Sequence, residues 1–216
     1  MIKGTGQGVG FGRLRRLVVA MLAALVLTAD SGHTTAQTES TRPAAELMDA
    51  VMWNREPIGG PFALTDQAGQ ARTDRDFRGK YLLVYFGFTY CPDVCPTDLQ
   101  AIGLAMDQLG TLAAAVQPLF VTLDPARDTV EQLAQYVPLF HPKLIGLTGS
   151  ETAIAAAANA YRVYYKRVPF EKNAADYTVD HSAFVYLVDP DGKYLGFFPP
   201  GTPAERMVEM IKPYLK

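Results

Sequence analysis

The sequence predicts one α/β domain, a mixed sheet flanked by helices and preceded by a β-hairpin. Three observations lead there. Lys80 to Phe88 is an almost unbroken apolar run, rich in aromatic and branched residues, which is how a strand covered on both faces reads. Two shorter apolar runs, Gln117 to Leu123 and Leu144 to Leu147, alternate with helical patterns. That order implies parallel strands joined by right-handed crossovers. Near the end the pattern changes: Ser182 to Val188 and Tyr194 to Phe198 flank the turn sequence Asp189-Pro190-Asp191-Gly192 and read as antiparallel partners.

The first residues form a separate object. Lys3, Arg13, Arg15 and Arg16, with no acid among them, precede the uncharged run Leu17 to Ala29. A basic start, a short apolar run and a small polar exit describe an export signal. As a helix the run rises about 20 Å, short of the ~30 Å hydrocarbon core. Length therefore favours cleavage over a spanning anchor, and residues 1–29 read as an export signal or membrane anchor. The Arg15-Arg16 pair also allows a twin-arginine route. Residues 30–55, small and polar at first, read as a linker, and residues 56–216 as the domain.

Within that domain, Phe62 to Gly79 is expected to form the N-terminal hairpin, with Gln67-Ala68-Gly69-Gln70 as its turn. Pro96 fits a first helical position, and Leu99, Ile102, Met106 and Leu109 follow at helical spacing. Thr129 and Gln132 form a capping-box pattern for a second helix, and the alanine-rich Glu151 to Val163 is a third. Arg167 to Asp180 reads as a loop of mixed polarity. Thr202 and Glu205 form another capping box, with Pro203 at the first helical position and Met207, Met210, Ile211 and Tyr214 on one face.

Composition narrows the function. The chain has 216 residues, 49% apolar and 19% charged, which excludes wholesale disorder. Its net charge of −2 provides no basic field for a nucleic-acid backbone. Two cysteines exclude both a disulfide scaffold and a four-cysteine zinc module.

The two cysteines carry the chemistry. Cys91 and Cys95 lie in Thr89-Tyr90-Cys91-Pro92-Asp93-Val94-Cys95-Pro96, between the carboxyl end of the long strand and the start of a helix. Open α/β sheets place ligands at that edge, and a helix amino terminus stabilises thiolate. Two thiols this close form a disulfide, exchange one, or hold a metal. A static disulfide is the weaker reading, because a bridge over so short a loop gains little from loop closure. C-x-x-x-C gives the sulfurs more freedom to chelate one ion than C-x-x-C does. A soft metal would then lack one donor for three-coordination, and histidine is the obvious supplier. The candidates are His33 in the linker, His141 in a polar loop and His181 at the start of a sheet strand, with Asp180 as an outer partner. Asp93 reads as a turn residue. A salt bridge or a helix start accounts for Arg127 and Asp128, and helical core spacing accounts for Met106, Met207 and Met210.

Taken together, several segments carry a resemblance. They are Val84 to Pro96, Leu123-Asp124-Pro125-Ala126-Arg127-Asp128-Thr129, Leu144-Ile145-Gly146-Leu147-Thr148-Gly149, Asp180-His181-Ser182, Asp189-Pro190-Asp191-Gly192 and the opening Ile58 to Leu64. In this order the chain resembles the Sco/SenC family over roughly residues 56–215. The resemblance implies a thioredoxin-like fold with an added N-terminal hairpin. It implies one copper held by Cys91, Cys95 and His181, as Cu(I), with histidine also tolerating Cu(II). It further implies a metallochaperone in assembly of the binuclear copper centre of cytochrome c oxidase, on the periplasmic side of a bacterial inner membrane, anchored or released. The partners implied are the copper-centre subunit of the oxidase, a copper donor protein and a thiol reductant. A thiol-disulfide reductase acting on a target's copper-ligand cysteines is the alternative; it needs the pair Cys91 and Cys95 but not His181. A thiol peroxidase is a third reading, for which no separate catalytic arginine or base can be assigned.

Overall fold

Among the described residues seven strands form the central sheet, in the order β2 (Ala71–Thr73), β1 (Ala63–Asp66), β5 (Ile145–Thr148), β4 (Val116–Thr122), β3 (Tyr81–Gly87), β8 (Val185–Val188) and β9 (Tyr194–Phe198), and two more, β6 (Tyr165–Phe170) and β7 (Asn173–His181), form a separate hairpin. The structure, a computed structural model, describes residues 57–170 and 173–215. The signal and linker readings for residues 1–55, and His33 with them, lie outside the described residues.

The first hairpin pairs β1 (Ala63–Asp66) with β2 (Ala71–Thr73). Asp66 closes its turn by accepting from the Ala68 and Gln70 amides, both at 2.9 Å, and from Arg72 Nε at 2.7 Å. β1 also runs antiparallel to β5 (Ile145–Thr148), so the hairpin extends the main sheet.

The centre of the sheet is parallel. β3 (Tyr81–Gly87) lies beside β4 (Val116–Thr122), and β4 beside β5. Leu83, Val84, Tyr85 and Phe86 are all fully buried, so both faces of β3 are covered. That burial is why the run shows no alternation in sequence. On one face Phe86 meets Tyr161, and on the other Tyr85 approaches the Cys95 sulfur beside Gly87. β8 (Val185–Val188) runs antiparallel to β3, with Val185 opposite Tyr85, and β9 (Tyr194–Phe198) closes that edge. The start of β8 therefore lies at the carboxyl edge of β3, where the cysteines are.

Among the described residues four α-helices flank the sheet: α1 (Val94–Leu109), α2 (Val130–Tyr136), α3 (Glu151–Ala160) and α4 (Ala204–Ile211). α1 buries Cys95, Leu99, Ile102, Met106 and Leu109 along one stripe and packs against α4.

Four local expectations need correction. Pro96 is the third residue of α1, not the first. Every amide of a first turn lacks an intrahelical partner, so proline is tolerated there, and Cys95 becomes the second helical residue. Thr129 caps α2 through the Gln132 amide at 3.3 Å, but the Gln132 side chain does not return to complete a box. It reaches Thr89 Oγ1 at 3.2 Å instead. Pro203 is the N-cap of α4, while the Thr202 hydroxyl donates to the Pro199 carbonyl at 2.6 Å. Finally, the expected loop over Arg167 to Asp180 is the hairpin of β6 (Tyr165–Phe170) and β7 (Asn173–His181). Charged and apolar residues mix on both faces of β6, with Val168 and Phe170 exposed and Arg167 opposite buried Val179, and Pro169 interrupts it, so it lacks the apolar alternation that marks a half-buried strand.

Candidate metal centre

Each donor arrives on a different element. Cys91 sits in the loop after β3, with its amide bonded to the Phe88 carbonyl at 3.2 Å. Cys95 is fully buried in the first turn of α1. Gly87 makes room for it: a Cβ there would lie 3.0 Å from the Cys95 sulfur and 3.0 Å from the Tyr85 ring. His181 is the last residue of β7, not the first of the next strand. Its Nε2 lies 3.4 Å from Cys95 Sγ. The three donor atoms, Cys91 Sγ, Cys95 Sγ and one imidazole nitrogen, all fall within 4.8 Å of one another. A three-coordinate ion with bonds of about 2.3 Å to sulfur and about 2.0 Å to nitrogen needs donor separations of roughly 3.7–4.0 Å. The donors are thus spaced for one ion with small side-chain adjustments.

The imidazole is held from both sides. Its Nδ1 faces the Ser182 carbonyl at 3.2 Å, which leaves Nε2 for the sulfur side. Asp180, expected as the outer partner, is exposed and lies in register with Lys166 across the hairpin. The rings of Tyr85 and Phe88 meet His181 edge-on, at 6.5 and 5.9 Å between centroids.

Both cysteines are free thiols. The Cys91 thiol is pulled down to about 4: hydrogen bonding from Cys95 favours its thiolate most, partial burial opposes this, and His181 and nearby amides add support. The Cys95 thiol is pushed far up, first because it donates to the Cys91 sulfur and second because it is buried. The pair therefore shares one proton at neutral pH. The helix start contributes through the Cys95 amide, 3.5 Å from Cys91 Sγ, but less than the neighbouring thiol does.

This charge distribution predicts selective reactivity. In reduced, metal-free protein, iodoacetamide should modify Cys91 and spare buried Cys95. An ordinary thiol loses reactivity tenfold per pH unit below about 8.5. The Cys91 rate should instead stay level from pH 8 to 5 and halve near pH 4, because thiolate persists above a pKa of about 4. Mass-spectrometric rates for each cysteine across that range check it.

His141 is not part of the site: its Nδ1 accepts from the Lys143 amide at 3.1 Å and its Nε2 lies 3.6 Å from Asp107. Other residues around the cysteines have roles that the sequence reading did not assign: Asp128 read as a salt bridge or a helix start, and Asp98 was given no role. Asp128, fully buried, accepts from the Thr89 amide at 3.0 Å and from the hydroxyls of Thr89 and Thr122, both at 2.6 Å. It latches the loop that leads to Cys91. Asp98, fully buried, accepts from the Gly201 amide at 2.8 Å, and burial pushes its carboxyl above the usual carboxylate range. Its Oδ2 and the Tyr85 hydroxyl are both buried without a hydrogen-bond partner among the described residues. An aspartate at helical core spacing was the available signal for Asp98.

The profile of the SCO1/SenC family matches residues 51–216. The chain belongs to the SCO1/SenC family. Among the family's members, the bovine mitochondrial SCO2 homolog is 40% identical, across 99% of this chain and 79% of its own length. The human mitochondrial SCO1 homolog is 43% identical, across 74% of this chain; the chain spans about half, 54%, of that relative. Solved Sco structures match the domain as well. Copper-bound ScoI from Bradyrhizobium japonicum is 44% identical with a TM-score of 0.68, over 73% of this chain and 99% of that one. Copper-bound yeast Sco1 is 39% identical with a TM-score of 0.68, over 74% of this chain and 89% of that one. The α/β fold, with its mixed sheet flanked by helices, is the Sco thioredoxin-like fold. Among the described residues no helix is long and apolar enough to cross a membrane.

Proposed function

We propose that this SCO1/SenC protein holds one copper ion between Cys91, Cys95 and His181 and passes copper on during assembly of the binuclear copper centre of cytochrome c oxidase. The observation that carries the reading is the convergence of two sulfurs and one imidazole nitrogen within 4.8 Å, from three separate elements. Two thiolates and an imidazole form a soft donor set suited to Cu(I), and the imidazole also accommodates Cu(II). Copper-bound Sco relatives support the choice of metal. Loading requires Cys95 to give up its proton, so uptake releases protons and weakens in acid. The basic-then-apolar segment over residues 1–29 supports an exported domain, which we place on the periplasmic side of a bacterial inner membrane. There its partners are the copper-centre subunit of the oxidase, a copper donor protein and a thiol reductant.

X-ray absorption on the reduced, copper-loaded protein tests the site. One copper per chain with two sulfur scatterers and one nitrogen is expected. Absence of sulfur, or a stoichiometry near zero, refutes it. A second reading, thiol-disulfide reduction, is favoured by the thiolate character of Cys91 beside a free partner thiol. His181→Ala separates the two: a copper carrier loses copper retention, whereas a reductase keeps disulfide exchange with both cysteines intact.

A further inference from the structure

The hairpin that carries His181 pairs with no strand of the central sheet among the described residues, so something else must fix its position. Alternation along β7 puts Tyr177, Val179 and His181 on one face. Val179 is buried in the core. Tyr177 is gripped: its hydroxyl donates to Asp124 Oδ1 at 2.7 Å, and its carbonyl accepts from Arg127 Nη1 at 3.0 Å. Asp124 is fully buried and forms a second, ionic contact with Arg127 Nε. Arg167, on β6, lies 3.6 Å from the same carboxylate.

Arg127 also reaches the other half of the site. Its guanidinium carbon lies 3.8 Å from the centroid of the Tyr177 ring and 4.8 Å from that of Tyr90, the residue before Cys91. Phe88 is 6.0 Å away. One guanidinium thus sits between the strand that carries the histidine and the loop that carries the first cysteine. From Tyr177 to His181 the strand rises about 13 Å, so a shift at the grip is transmitted to the imidazole through an extended, stiff segment.

We propose that Asp124, Arg127 and Tyr177 form a clasp that positions His181 against the cysteine loop, and that its integrity sets how firmly the third donor is held. This rests on His181 being a copper ligand. None of the three residues needs to touch the metal; they are positioning residues. Outer partners that orient a metal ligand are worth roughly 10–100-fold in affinity.

The test compares Arg127→Met in two backgrounds of the full chain, native and His181→Ala. Cu(I) affinity is read by competition with a chromophoric Cu(I) chelator, and the donor set by X-ray absorption. In the native background Arg127→Met should weaken Cu(I) binding roughly tenfold and reduce the nitrogen scatterer, with both sulfurs kept. In the His181→Ala background the same change should alter affinity by less than about twofold, since nothing is left to position. Equal losses in both backgrounds would overturn the clasp, because Arg127 would then act on the cysteine loop or the fold. An unchanged affinity and an unchanged nitrogen shell in the native background would overturn it too. If His181→Ala alone left copper binding untouched, the third-ligand reading would fall and this proposal with it, a result distinct from the other two. Should Arg127→Met not fold, Tyr177→Phe, which removes one hydroxyl and keeps the ring, carries the same two-background comparison.

Discussion

Replacing either Cys91 or Cys95 with alanine is expected to abolish Cu(I) retention against a competing chelator. Structural metal sites bind with about 10–16 kcal/mol in favourable cases, so one donor in three is worth roughly 3–5 kcal/mol, about a thousandfold in affinity. The two variants should differ in what they leave behind. Cys95→Ala removes the thiol whose hydrogen bond does most to hold the Cys91 thiolate down, so the Cys91 thiol should rise from its value of about 4. Cys91→Ala leaves a fully buried Cys95 without its acceptor, an inert thiol that reagents do not reach. Equilibrium competition in the presence of reductant, with alkylation rates on the same samples, checks both statements. Undiminished copper affinity in either single variant would show that the sulfurs are not the ligands.

The difference between what was legible in the sequence and what was not follows from the kind of signal each feature leaves. The buried strand of Lys80 to Phe88 was plain because burial on both faces forces an apolar run, and its observed core, Tyr81–Gly87, differs by one residue at each end. The placement of Cys91 in the loop between strand and helix followed from Pro96 and from the helical spacing behind it, while Cys95 falls inside the first turn of α1, because the helix starts two residues before Pro96. His181 could be nominated but not located. Its strand belongs to the hairpin Tyr165–Phe170 and Asn173–His181, whose residues show no continuous apolar face. That hairpin is held by Asp124, Arg127 and Tyr177, which lie up to 53 positions apart, and hydrogen bonds at such separations leave no periodicity to read. The Gln132 side chain shows the same limit. Its spacing from Thr129 satisfies a local capping pattern, yet a tertiary partner, Thr89, takes it. Asp128 is the most consequential of these cases, because a charged residue two positions before a helix looks like surface chemistry until its burial is known.

Asp128→Ala is expected to destabilise the domain strongly although Asp128 is not a donor to the metal. The carboxylate accepts three hydrogen bonds, two from Thr89 and one from Thr122, and none of these groups gains another partner from an alanine methyl. Leaving a buried amide and two hydroxyls without acceptors costs about 1–3 kcal/mol for each group that water cannot reach. Since the hydroxyls can turn and Thr89 lies near the surface, a net loss of roughly 3 kcal/mol is expected, about 10 °C in Tm for a domain of this size. Asp128→Asn makes the informative contrast. With its oxygen placed at the Oδ2 position it still accepts from the Thr89 amide and the Thr122 hydroxyl, and its amide can donate to Thr89 Oγ1 in place of the lost acceptor. It also removes a carboxyl that burial holds above the usual carboxylate range. A buried carboxyl with a raised pKa keeps its proton more readily folded than unfolded, so in the native protein it lowers stability as pH rises through the unfolded and then the folded pKa. Asp128→Asn should therefore lie close to the native protein at neutral pH and lack that contribution at acid pH, while Asp128→Ala should be destabilised throughout. Because Thr89 precedes Tyr90 and Cys91, the alanine variant should also take up Cu(I) less tightly after refolding, whereas the asparagine variant should not. Thermal melts from pH 4 to 8, followed by chelator competition on the same three proteins, decide the matter: equal Tm values for the alanine and asparagine variants would mean that Asp128 acts through its charge, not as a hydrogen-bonded latch on the cysteine loop.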